Sequence, residues 1–172
     1  GDDINVFATN TGGTGDVTIS ANINQTAAAT TTLDIRANNS IFFTNSADVS
    51  SNTNPLNVIL NSNRDGIGAG AISLASGTVI DSLGGAISLV GGTTASGAAI
   101  GSGANTEGIR LDNAQLLSGA GAITLTGQGI GTGVANAKGI QLDTGSVVQS
   151  SSGTITITGT GGGTGAGGTS AY

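Results

Sequence analysis

The sequence predicts an all-β chain coiled as a parallel β-helix of about nine rungs, with no significant helix. Three observations carry that prediction. A phrase of about 15 residues recurs, in which an apolar pair one residue apart is followed by a Gly-containing turn and then the same pair. Each pair alternates in the manner that buries two side chains and exposes the one between them. The composition is also narrow: there are 32 Gly, three Phe and one Tyr, with no Met or Trp, so Ile, Leu, Val and Ala must form the core. Short strands at a fixed spacing with such a core mean stacked rungs rather than a compact globule.

Residues 1–65 form an Asn-rich part that keeps the alternation. Asp16-Val17-Thr18-Ile19, Leu33-Asp34-Ile35 and Leu56-Asn57-Val58-Ile59-Leu60 read as strands. Pro55 precedes the last of these, where a missing N–H costs least. Residues 66–172 are Gly-rich and carry the clearest pairs: Ile72-Ser73-Leu74, Ile87-Ser88-Leu89, Ile109-Arg110-Leu111, Ile123-Thr124-Leu125, Ile140-Gln141-Leu142 and Ile155-Thr156-Ile157. Rung markers at Ile19, Ile35, Val58, Ile72, Ile87, Ile109, Ile123, Ile140 and Ile155 are 14 to 23 residues apart. Such variation belongs in flanking loops, which a solenoid tolerates.

A longer period overlies this one. Gly108-Ile109-Arg110-Leu111-Asp112 returns as Gly139-Ile140-Gln141-Leu142-Asp143 after 31 residues. The double-rung unit reads as Gly-rich loop, strand, turn, strand with Val or Leu, turn, strand. Gly159 to Tyr172 has the character of the Gly-rich loop, so a further strand is expected directly after Tyr172. Residues 1–172 thus read as one β-helical repeat segment, expected to be a piece of a longer chain.

Charge and composition set aside several classes. A net charge of −6, with Arg36, Arg64, Arg110 and Lys138 dispersed, opposes binding to nucleic acid or anionic lipid. No apolar run approaches the ~18 residues of a membrane span. Without Cys there is neither a disulfide framework nor a thiolate metal site. Disorder does not fit 37 % hydrophobic residues at regular positions.

Chemistry-bearing patterns each meet a plainer reading. Gly12-Gly13-Thr14-Gly15-Asp16-Val17 resembles a calcium nonapeptide, but its Asp is misplaced and it occurs once, so it reads as a turn. Asp112 and Asp143 occupy equivalent repeat positions and could stack, yet such Asp residues commonly serve turns. With no His, an acid/base pair is not assigned. Ser73, Ser88, Thr124, Thr126, Thr156 and Thr158 point outward and could line up as hydroxyl rows able to bind glycan or ice. Val90 and Ala75 interrupt the second row, which favours ordinary solvent-facing residues. Arg36 and Arg110 read as solvated, and the Gly-rich stretches 91–106, 127–138 and 159–169 as spacers on one edge. No catalytic, cofactor-binding or metal-ligating residue is assigned, and the chain is not read as an enzyme.

The order of phrases from Asn38-Asn39-Ser40-Ile41-Phe42-Phe43, through Pro55-Leu56-Asn57-Val58-Ile59-Leu60-Asn61-Ser62-Asn63-Arg64-Asp65-Gly66, to Gly70-Ala71-Ile72-Ser73-Leu74 and Gly84-Gly85-Ala86-Ile87-Ser88-Leu89 is distinctive. Over roughly residues 32–170 it resembles the rod region of filamentous-haemagglutinin-like exoproteins, large bacterial surface adhesins often exported by two-partner secretion. The resemblance implies a right-handed parallel β-helix, an extracellular location and an adhesive or scaffold role. It supplies no catalytic residues. Implied partners are a host, neighbouring-cell or matrix surface, and an outer-membrane transporter for the parent chain. Because a stack of strands ends in open edges, end-to-end self-association into filaments is a further expectation.

Overall fold

The computed structural model describes residues 3–9, 14–103, 105–131 and 137–163. Its strands come in threes. The first coil holds β1 (Ile4–Ala8), β2 (Val17–Ile19) and β3 (Ile23–Gln25), and the second β4 (Thr31–Ala37), β5 (Ile41–Phe43) and β6 (Val49–Ser51). The third holds β7 (Leu56–Ser62), β8 (Ile72–Leu74) and β9 (Val79–Asp81). The fourth runs through β10 (Ile87–Gly91), the short β11 (Ala99–Ile100), β12 (Ile109–Leu111) and β13 (Gln115–Leu117). The fifth is β14 (Ile123–Gln128), β15 (Ile140–Leu142) and β16 (Val147–Gln149), and β17 (Ile155–Thr160) opens a sixth. No helix occurs among the described residues.

Each coil contributes to three parallel sheets. Sheet A stacks β1, β4, β7, β10, β14 and β17, with β11 beside the carboxyl end of β14. Sheet B stacks β2, β5, β8, β12 and β15, and sheet C stacks β3, β6, β9, β13 and β16. The chain is therefore a parallel β-helix with three faces, as the alternation predicts.

The count of coils differs from the expected nine rungs, and the reason is physical. Of the nine apolar pairs, those at Ile35, Val58, Ile87, Ile123 and Ile155 lie in sheet A, and those at Ile19, Ile72, Ile109 and Ile140 in sheet B. Two successive pairs belong to one coil. Strands of sheet C turn only one apolar side chain inward (Val49, Ile80 and Leu116 in the middle coils), so they carry no pair to count. The full coil is the longer unit, 24 residues from Val17 to Ile41 and 37 from Ile72 to Ile109.

Register converts the repeat into a core. Leu33, Val58, Ile87 and Ile123 superpose in sheet A, as do Ile35, Leu60, Leu89 and Leu125. Ile41, Ile72 and Ile109 form a third column, with Phe43, Leu74 and Leu111 beside it. All of these are buried in one cluster. Ile4, Val6, Leu142, Ile155 and Ile157 continue the inward columns but remain exposed, having a neighbour on one side only.

The Asn- and Asp-rich character of the first coils has a structural role. Where the strand ladder is interrupted at corners, a side chain of one coil accepts a hydrogen bond from a backbone N–H of the next. Asp3 takes that of Thr32, Asp16 that of Ser40, Asn22 that of Asp48, Asp48 that of Val79, and Asn57 that of Ala86, at 2.7–3.0 Å. Backbone donors at the strand starts, exposed or part-buried, are thereby given a partner in the preceding coil.

Candidate functional site

The outward residues of three flat faces are the chemistry this fold offers. On sheet A one outward row runs Asn5, Asp34, Ile59, Ser88, Thr124, Thr156. The next runs Phe7, Arg36, Asn61, Val90. In the last two coils Thr124 superposes on Thr156, Thr126 on Thr158 and Gln128 on Thr160. Hydroxyls therefore align over two coils, with Ser88 extending one row by a third. Ser73 does not join them: it lies on sheet B, in a row with Phe42, Arg110 and Gln141. A strand-sequence pattern does not distinguish sheet A from sheet B, so Ser73 and Ser88 look alike in the sequence.

Sheet B brings Asp112 and Asp143 onto one cation. Arg110 Nε donates to Asp143 Oδ2 of the next coil at 2.8 Å, and its Nη2 lies 3.7 Å from Asp112 Oδ2. Gln141 Nε2 also donates to Asp143, and Lys138 Nζ donates to Gln141 Oε1 at 3.0 Å. The Gln141 amide above all holds the Asp143 carboxyl below the usual carboxylate range; burial opposes it as the next-largest effect, and the Arg110 guanidinium adds to the lowering. The Asp143 hydrogen bond likewise raises Arg110. A carboxylate stabilised in its charged form is a poor general acid near neutral pH.

Arg110 is thus not simply solvated, and neither is Arg36. Arg36 grips Asp34 through Nε and Nη2 at 2.7–3.0 Å. Its guanidinium also stands 6.0 Å from the Phe7 ring centroid, and that of Arg64 stands 5.0 Å from the same ring. These stacked contacts tie β1 to the following two coils. On sheet C, a shallow recess of about 390 Å³ is lined by residues including Asp81, Gln115, Leu117, Val147 and Gln149.

The Gly-rich stretches 91–106 and 127–138 fall between a sheet A strand and the next full sheet B strand in successive coils, and 159–163 run from the end of the sheet A strand β17. They are more than spacers. Within 91–106, β11 pairs with Gly127 and Gln128 of β14, and Ala99 is fully buried. Residues 132–136 and 164–172 of the later stretches, and with them the expected continuation past Tyr172, fall outside the described residues. So do Gly12 and Gly13 of the calcium-like phrase, but Asp16 is described. Its Oδ1 accepts from Asn39 Nδ2 and Ser40 N, a link between coils.

One group of residues went unnoticed in the alternation. Asn61 and Asn63 follow the strand phrase Leu56 to Leu60; both are buried, and the Oδ1 of each accepts no hydrogen bond from any described residue. The available signal was oxygen-bearing side chains at alternate positions before Asp65-Gly66. Among the described residues, no three His, Cys, Asp or Glu side chains gather as a metal-ligand set. No helix among them is long and apolar enough to cross a membrane.

No protein-family model, curated protein or solved structure matches the chain.

Proposed function

We propose that this chain is a structural and adhesive rod, a segment of a bacterial extracellular surface protein that holds attachment surfaces away from the cell. The observation that carries the reading is the continuity of three in-register parallel sheets through every described coil. Each coil adds ~4.8 Å of length, and every interior strand is hydrogen-bonded above and below, so extension and stiffness arise together. The resemblance of the phrase order to filamentous-haemagglutinin-like rods supports the same reading, with export through an outer-membrane transporter and contact with a host, neighbouring-cell or matrix surface. The uncovered apolar positions at Ile4, Val6, Leu142, Ile155 and Ile157 suit a further coil in the same register, from more of the polypeptide or from a second copy.

Electron microscopy of the natural material, with intact-mass measurement, tests this. Long uniform fibres from a polypeptide much larger than 16.3 kDa support a rod segment. Fibres from a chain of that mass support end-to-end stacking, and short isolated particles overturn both. A second reading, recognition of glycan or ice, is favoured by the aligned hydroxyls of Thr124, Thr126, Thr156 and Thr158. Thermal hysteresis or glycan retention that vanishes in Thr124→Tyr would bring it forward.

A further inference from the structure

We infer that the corner following β7 is a calcium site formed by Asn61, Asn63 and Asp65. This site does not depend on the rod reading. Asn61 and Asn63 are 0 % and 3 % exposed, and their side-chain oxygens accept nothing from any described residue. Buried amide oxygens nearly always have a partner, so two unpartnered ones in three residues call for a bound species that accepts lone pairs.

The local sequence specifies which species. Asn61-Ser62-Asn63-Arg64-Asp65-Gly66 places side-chain oxygens at alternate positions and then Gly, the order D-x-[DN]-x-[DN]-G of calcium loops with Asn in the first place. Gly66 has the positive φ, 70°, that the turn after such ligands requires. Asn61 Nδ2 donates to Gly92 O at 3.1 Å, which leaves Oδ1 as the free atom of that amide. Asp65 Oδ1 accepts from Ile67 N at 3.0 Å, a bond that orients the carboxylate at the turn. The backbone is held on both sides: Asn63 N donates to Asn39 O, Arg64 N to Ala37 O, and Ser62 Oγ to Gly70 O, at 2.7–3.0 Å.

Arg64 lies between the ligands in sequence, but its guanidinium is drawn to the Phe7 ring, 5.0 Å away. An all-oxygen set suits a hard cation, and Ca²⁺ accepts irregular geometry that Mg²⁺ does not. This is not a helix–loop–helix site. The place of its usual bidentate Glu is taken by Ile72, a fully buried core residue. With one carboxylate among the three side chains, the affinity belongs with the weak extracellular modules, ~10⁻⁴–10⁻³ M.

Calorimetric titration of the 172-residue chain with calcium chloride, and thermal melts in Ca²⁺, Mg²⁺ or chelator, test the site. One saturable Ca²⁺ per chain is expected, with a melting temperature raised by about 3–6 °C at ten times the dissociation constant. Equal Mg²⁺ should do much less. Asn63→Gly keeps the positive φ of 49° at that position while removing the oxygen, and Asp65→Asn keeps the turn acceptor while removing the charge. Each should weaken binding at least tenfold with an unchanged far-ultraviolet spectrum. Absence of binding heat with superimposable melts in wild type overturns the site and assigns the oxygens to internal water. Equal response to Mg²⁺, or full binding by both folded variants, overturns it too. Should a variant fail to fold, the wild-type titration alone decides. Fibre formation bears on the rod reading and not on this result.

Discussion

Arg110 donates to Asp143 across one coil spacing and lies near Asp112 just past the end of its own strand, so two carboxylates at equivalent repeat positions share one guanidinium. Their stacking was legible in the 31-residue repeat; the cation between them was not, because Arg110 has Gln141 as its counterpart. The consequence is measurable as a pH dependence. Asp143 titrates below the ordinary Asp range when folded, mainly through Gln141 and then Arg110. A depressed folded value means its contribution is complete above the unfolded pKa, ~3.9, and disappears as pH falls through the folded value. Melting temperature should therefore fall from pH 5 to pH 2.5, and more steeply in wild type than in Asp143→Asn. Parallel curves would show that the pair does not contribute. The effect should be small, since both side chains are partly exposed and screened.

Between residue and coil, the corner from sheet C to sheet A is the most regular element, and the sequence carried only half of it. Ser82, Ser118 and Ser150 sit at the carboxyl end of sheet C strands, and Ser82 and Ser118 donate to the carbonyls of Gly85 and Gly121 at 2.6 Å. The third residue after each Ser is Gly because the coils touch there. A Cβ at Gly121 would overlap the Gly85 carbonyl, and one at Gly153 the Gly121 carbonyl. Ser82 and Ser150 recur in the sequence at one offset, ten residues after Ile72 and Ile140, but close backbone approach between coils leaves no mark in hydropathy. We expect Gly121→Ala to destabilise by ~3 kcal/mol or more, since backbone and not a flexible side chain must move. Ser118→Ala should cost ~0.5–1.5 kcal/mol, since the Gly121 carbonyl keeps Ser150 Oγ as a donor at 2.9 Å. Urea denaturation of the two variants checks the order, which an equal or reversed cost would contradict. The corner from A to B is the opposite case: Gly-rich composition marks its long connections at 91–106 and 127–138, while β11 was concealed because a two-residue strand has no period.

Across the whole molecule, stability is distributed along one axis, because strands pair only between adjacent coils, although the Arg64 guanidinium of the third coil also reaches the Phe7 ring of the first. The pairing order shows this: every strand of sheets B and C pairs only with the equivalent strand one coil before or after. Such an array behaves as a chain of coil stabilities joined by nearest-neighbour interfaces. Coils two to four carry the fully buried columns, Ile72, Leu74, Ile80, Ile87, Leu89 and Ile109 among them, each packed on both sides. In the outer coils the same inward positions are half open, with Ile4 54 % and Ile157 49 % exposed. An interior coil can open only by breaking two interfaces, whereas an outer coil opens by breaking one. Hydrogen exchange on the 172-residue chain should therefore grade along the sequence, with amides of β7, β8 and β10 slowest and those of β1, β16 and β17 fastest. Adding an in-register coil at either end should slow the adjacent strands and leave the centre unchanged. Uniform protection from β1 to β17 would contradict this and would mean that the coils unfold as a single unit.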